Sequence, residues 1–177
     1  MKKLNSLLLL FALALGAVSC QKADSEKPWG SALIYMPQAN YNPYAVPNSG
    51  TDQQTNKNYS VDQANNKVNI FLGVYRAGLQ EFESYTVTVT PGTTPLSGTT
   101  LLPAGKYTLP ETVTCPSGKR DVGFYLSVDL AFLKANSGTN YSIPVTISNP
   151  TRYSLNEKLV TTQVKINTSE LLSKEGL

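Results

Sequence analysis

Short apolar runs of period two, dense Gly and Pro punctuation between them and the near absence of helical periodicity together predict an all-β fold. The expected architecture is an immunoglobulin-like antiparallel β-sandwich of about seven strands with one short helical turn. In a strand successive side chains point to opposite faces, so Val68, Ile70, Leu72 and Val74, alternating with Asn69, Phe71 and Gly73, mark one face turned inward. A closed barrel is the lesser alternative. The Cys-Trp-Cys pattern of antibody domains is absent, so "immunoglobulin-like" denotes architecture only.

In chain order, Ser31 to Met36 is a β-prone run stopped by Pro37. From Gln38 to Lys67 the chain is rich in Asn and Gln and broken by Pro43, Pro47 and Gly50. A structureless loop of that length is improbable in a compact domain, so a short strand is expected near Tyr44 to Val46. Val68 to Val74 is the next strand, and Arg76-Ala77-Gly78 turns the chain. Tyr85, Val87 and Val89 alternate with threonines as a half-buried strand, after which Pro91 to Gly105 reads as a crossing loop. Tyr107 to Pro110 and Thr112 to Cys115 read as edge strands, because Pro110 and Pro116 cannot donate to a central ladder. Val122, Phe124, Leu126 and Val128 form a central strand, and Leu130 with Leu133 supplies the helical turn. Tyr141 to Ile147 and Val160 to Ile166 complete the sheets. The boundaries expected are a leader over 1–19, a tether over 20–30, the sandwich over 31–167 and a C-terminal tail of unsettled order over 168–177.

The leader is basic, then apolar, then small: Lys2 and Lys3, Leu7 to Leu15, and Ala17-Val18-Ser19-Cys20. Its apolar run of about 10 residues is too short for the roughly 20 that cross a bilayer as a helix, which marks an export signal. The residues before Cys20 resemble a bacterial lipobox. That resemblance implies cleavage before Cys20, acylation of its thiol and a membrane partner held through the lipid anchor. Asp24 and Glu26 behind it resemble acidic surface-export tags, which favours the outer face of the outer membrane over the periplasmic face. With Cys20 lipidated, Cys115 has no disulfide partner within the chain and is expected to be buried.

The 177 residues hold 15 Lys plus Arg, 12 Asp plus Glu and no His. Without Lys2 and Lys3 the charge is nearly balanced, which leaves no electrostatic footprint for nucleic acid. The missing histidine excludes Ser-His-Asp and Cys-His nucleophilic catalysis and the commonest zinc ligand. Glu81 and Glu83, at i and i+2, are the nearest thing to a glycosidase pair, yet adjacent acids beside a turn are ordinarily solvated. No catalytic residue, metal ligand or cofactor is expected.

Sugar binding pairs an exposed ring, for the apolar C–H face of the sugar, with amides or carboxylates for its hydroxyls. Trp29, Tyr41, Tyr44 and Tyr59 stand among Asn40, Asn42, Asn48 and Gln54 and are the candidate ligand-binding residues. Packing with a wet hydroxyl and ordinary loop chemistry are the competing explanations. Tyr35, Tyr75, Tyr85 and Tyr125 are read as packing residues, and Arg76 as the holder of its own turn in preference to a partner for a ligand carboxylate.

Five segments in order resemble a Bacteroidetes lipoprotein family, the domain of unknown function numbered seventeen-thirty-five: Ile34-Tyr35-Met36-Pro37-Gln38-Ala39, Tyr75-Arg76-Ala77-Gly78, Leu102-Pro103 with Tyr107-Thr108-Leu109-Pro110, Val128-Asp129-Leu130 with Leu133, and Tyr141-Ser142-Ile143-Pro144. The resemblance runs from about Ser31 to Asn167. It implies an immunoglobulin-like module in surface lipoproteins of polysaccharide utilisation, often followed by a hydrolase or carbohydrate-binding domain, for which 177 residues are expected to leave no room. The function expected is a non-catalytic accessory of glycan binding. The alternative is a structural or adhesive subunit acting through a surface protein partner or a homodimer, its proline-marked edges open to another strand.

Overall fold

A computed structural model describes residues 32–48, 57–78 and 82–177. The chain forms an all-β sandwich of two six-stranded sheets. In the first sheet the order is β11 (Ser154–Leu155), β1 (Leu33–Tyr35), β4 (Lys67–Arg76), β9 (Asp121–Asp129) and β7 (Tyr107–Thr108), with β3 (Tyr59–Asp62) also on β4. The second runs β2 (Tyr44–Val46), β12 (Thr161–Ile166), β10 (Tyr141–Ser148), β5 (Tyr85–Pro91) and β8 (Thr112–Cys115), with β6 (Thr100–Leu101) on β10.

The inner faces follow from the alternation. Val68, Ile70, Leu72 and Val74 of β4 meet Phe124, Leu126 and Val128 of β9 on one wall, and Val87, Val89, Ile143, Val145, Ile147, Val164 and Ile166 form the other; all are buried. Cys115 is buried and unoxidised among them, and burial pushes its thiol pKa up. The edge strands fall where their prolines place them, β7 at one end of the first sheet and β8 at one end of the second.

The strand count departs from the expected seven. Twelve form among the described residues; nine coincide with runs picked out in the sequence, and β3, β6 and β11 are only two to four residues long and carry no run that a period-two pattern can register. Nor is the sandwich wholly antiparallel: β1 with β11, β2 with β12 and β6 with β10 pair in parallel. Among the described residues two α-helices form where one turn was expected. The first, α1 (Leu130–Ala135), buries Leu130 and Leu133 and is capped by the Asp129 carboxylate, which accepts from the Phe132 amide at 2.9 Å. The second, α2 (Thr168–Lys174), takes the place of the C-terminal tail and drives Leu171 and Leu172 into the core. It closes on Gly176 in the left-handed region, with the Leu177 amide donating to the Leu172 carbonyl at 3.0 Å.

One edge of β4 is shared. β1 pairs with Tyr75 and Arg76, and β3 with Lys67 to Ile70. Between them the 3-10 turn Pro37–Asn40 brings the buried Gln38 side chain to the sheet, where its Oε1 accepts from the Gly73 amide at 3.1 Å. A side-chain amide thus stands in for the missing strand.

Candidate functional site

Strand parity sends the other half of β4 and β9 to the outer face of the first sheet. Cross-strand register pairs Tyr35 with Tyr75, Gly73 with Gly123, Phe71 with Tyr125, Asn69 with Ser127, and Lys67 with Asp129. This face carries the two large apolar side chains most open to solvent among the described residues, Phe71 at 42% and Tyr125 at 52% exposure. Their rings meet edge to face, centroids 6.0 Å apart at 69°.

Glycine is the reason Phe71 lies down instead of standing up. A Cβ on Gly123 would fall 2.5 Å from Phe71 Cε2 and 3.1 Å from its Cζ, so the ring occupies the space over the glycine. At Gly73 the same construction meets Phe71 Cε1 at 3.9 Å. The pair of glycines forms a floor, and the ring rests on it beside Tyr125. Further along, Tyr35 and Tyr75 form a second ring pair, centroids 5.3 Å apart and tilted by 55°, with the Arg120 guanidinium donating to the Tyr75 hydroxyl at 3.5 Å. Burial and the neighbouring Tyr75 raise the Tyr35 phenol.

On the opposite side of Phe71 the face turns polar. The Ser127 hydroxyl donates to Asn69 Oδ1 at 2.6 Å. Beyond that pair lies an open depression of about 200 Å³, lined by Asn65, Asn66, Lys67, Lys106, Tyr107, Thr108, Ser127 and Asp129 among others. Asp129 accepts from Asn66 Nδ2 at 3.0 Å as well as from the Phe132 amide, and these bonds, the amide's first, hold its carboxyl below the usual range. From Tyr75 to Lys67 the face spans roughly 27 Å at about 3.4 Å per residue.

The residues singled out from sequence lie elsewhere. Cys20 and Trp29 fall outside the described residues, as do Gln54 and Glu81. Tyr44 is 3% exposed; its hydroxyl donates to the Phe71 carbonyl at 3.0 Å, and burial pushes its pKa up to about 12. Tyr59 is 7% exposed and donates to Glu175 Oε1 at 2.7 Å, its phenol raised mainly by burial. Tyr41 is half-buried against Tyr44, centroids 6.1 Å apart. Neither Tyr44 nor Tyr59 has a face free for a sugar, which corrects the sequence reading: both fall on inward positions of β2 and β3. Tyr125 corrects it in the other direction, being the most exposed large ring among the described residues where packing was expected. Arg76 is fully buried, its guanidinium 4.2 Å from the Phe82 ring centroid and 4.9 Å from that of Tyr153, so a ligand carboxylate cannot reach it. Glu83 pairs with Arg152 on the surface. Among the described residues no cluster of His, Cys, Asp and Glu is arranged to hold a metal, and no helix is long and apolar enough to cross a membrane.

No curated protein sequence matches the chain. Six solved chains do, one of them the crystal structure of a candidate carbohydrate binding protein from Bacteroides ovatus. That protein is 13% identical with a TM-score of 0.46, and the match covers 76% of this chain and 36% of that one, so this chain spans about a third of its length. A family model described as an N-terminal domain matches residues 31–154. That interval takes in the first sheet except Leu155 at the end of β11, the glycine floor and the depression beside it, and the chain belongs to this N-terminal-domain family.

Proposed function

We propose that the protein is a non-catalytic glycan-binding module whose contact surface is the outer face of the first sheet. One observation carries the reading: Phe71 lies on the Gly73–Gly123 floor with Tyr125 against it, both open to solvent. A ring laid along a sheet offers a flat apolar surface to the C–H face of a sugar. Asn69, Ser127, Tyr75 and Arg120 stand close by to hydrogen-bond its hydroxyls. The site is shallow, as suits an extended chain more than a small enclosed ligand.

The same reading places the protein at the cell surface, held by lipid on Cys20, and takes the matched domain to be the family numbered seventeen-thirty-five. The five segments that resemble that family all lie within residues 31–154. Palmitate labelling that is lost in Cys20→Ser supports the anchor, and labelling that persists removes it.

Affinity electrophoresis of the purified protein through gels containing neutral polysaccharides tests the binding surface. Retardation on at least one glycan is expected, reduced about tenfold or more in Phe71→Ala and Tyr125→Ala, the size of a truncated hot-spot ring. Retardation unchanged in both variants overturns the assignment of the face. If no glycan retards the protein and Tyr125→Ala instead dissolves a complex with another surface protein, the rings serve protein association.

A further inference from the structure

Resting on the glycan-binding reading, we infer that the face takes a neutral, extended chain laid along β4 from Phe71 to a second ring subsite at Tyr35–Tyr75, with the Gln38 side-chain amide donating to the sugar between. Phe71, Gly73 and Tyr75 are alternate residues of β4 and share its outer face. Phe71 and Tyr75 stand roughly 14 Å apart along the strand. Between them Gly73 and its cross-strand partner Gly123 raise no side chains of their own, so nothing from β4 or β9 divides the surface. Tyr35 and Tyr75 are half-buried, yet neither belongs to the set packed against the core. They lean on each other, and Tyr75 also on Arg120.

Gln38 carries the argument. Its side chain is held in place, being 7% exposed with Oε1 accepting from the Gly73 amide at 3.1 Å. Only the oxygen can accept from that N–H, so the bond fixes which end of the amide is which. The other end, Nε2, lies 3.7 Å from the point where a Cβ on Gly73 would project, and Phe71 Cε1 lies 3.9 Å from the same point. Nε2 is thus on the outer face beside the ring. It forms no hydrogen bond among the described residues and keeps contact with solvent. A donor already immobilised loses little freedom on meeting the hydroxyl or ring oxygen of a sugar stacked on Phe71. Charge along the face favours a neutral chain: Arg120 adjoins Asp121 at the Tyr75 end, and Lys67 faces Asp129 at the other, so opposite charges offset each other at both ends.

The experiment casts into gels neutral chains matched in sugar and different in shape: mixed-linkage β-glucan against pullulan, and glucomannan against α-mannan. The extended β-linked member of a pair is expected to retard the protein more, without weakening in added salt. Retardation should fall about tenfold in Tyr75→Ala, the loss of a stacked ring. It should fall about fivefold in Gln38→Glu, which keeps an oxygen for the Gly73 amide and removes the N–H donor. Oligosaccharides cut from the retarding chain should compete better with length until they reach both ring pairs, a gain that Tyr75→Ala abolishes. The parent protein gives a readout that needs no variant, since the side-chain NH2 signals of Gln38 should shift in an NMR titration with the longest of these oligosaccharides. Equal retardation by extended and coiled chains, Tyr75→Ala binding as the parent does, or unmoved Gln38 side-chain signals overturns the inference; loss of retardation in Phe71→Ala alongside any of these leaves the ring platform standing. If none of the four chains retards the protein the inference also falls, and the platform then stands or falls on the other neutral polysaccharides.

Discussion

Gly123 has no side chain, and the ring of Phe71 fills the space one would take. Gly123→Ala therefore pushes the ring off the floor instead of breaking the sheet, since the atom it meets is the far end of a side chain. The expected result is a thermal stability within about 1 kcal/mol of the parent with glycan retardation reduced as in Phe71→Ala; unchanged retardation would show that the ring's posture is irrelevant. Tyr59 behaves in the opposite way. Its hydroxyl is spent on Glu175, so Tyr59→Phe should cost about 1 kcal/mol in chemical denaturation and leave binding untouched. The difference between these residues was half legible in the sequence. Phe71 stands out of phase with Val68, Ile70, Leu72 and Val74, and Tyr125 out of phase with Phe124 and Leu126, so parity alone sends both outward. What parity does not say is that two glycines meet beneath Phe71, because register between strands is a tertiary fact.

At the scale of elements, α2 shows what local pattern misses. Its Leu171-Leu172 pair sits in a polar stretch too short for periodicity to speak, and its order comes from docking. Glu175 at its end accepts from Lys57 Nζ at 2.5 Å and from the Tyr59 hydroxyl at 2.7 Å. Those bonds, the lysine's first, lower the Glu175 carboxyl from its ordinary 4.5. A carboxyl whose folded pKa is depressed contributes stability that is fully present above the ordinary value and is lost as pH falls through the lower, folded one. The protection of the α2 amides, taken relative to their intrinsic exchange rate at each pH, should therefore fall below about pH 4, and Glu175→Gln should remove that loss; protection insensitive to acid in the parent would contradict the latch. The central elements needed no such help. Long alternating runs placed β4, β9 and β10 near their observed limits, and the expected strand at Tyr44 to Val46 is β2, with Tyr44 and Val46 as its inward pair.

The whole molecule is a core between two sheets with an unequal pair of surfaces. Leu126 is fully buried at the centre of the inner wall, so Leu126→Ala should lower unfolding stability by about 2–5 kcal/mol without altering any glycan contact in the fraction that remains folded. The two-sheet architecture was legible because it rests on apolar alternation. The proposed binding face was legible only in part, because alternation turns its rings outward but does not say which outward rings, glycines and amides β4–β9 pairing brings side by side. Backbone NMR titration with an oligosaccharide cut from a retarding glycan tests that claim most directly. The account predicts the largest shifts at the amides of Phe71, Gly73, Gly123 and Tyr125, fading across the inner strands. Shifts centred on Tyr41 and its neighbours, with the β4–β9 face silent, would contradict it.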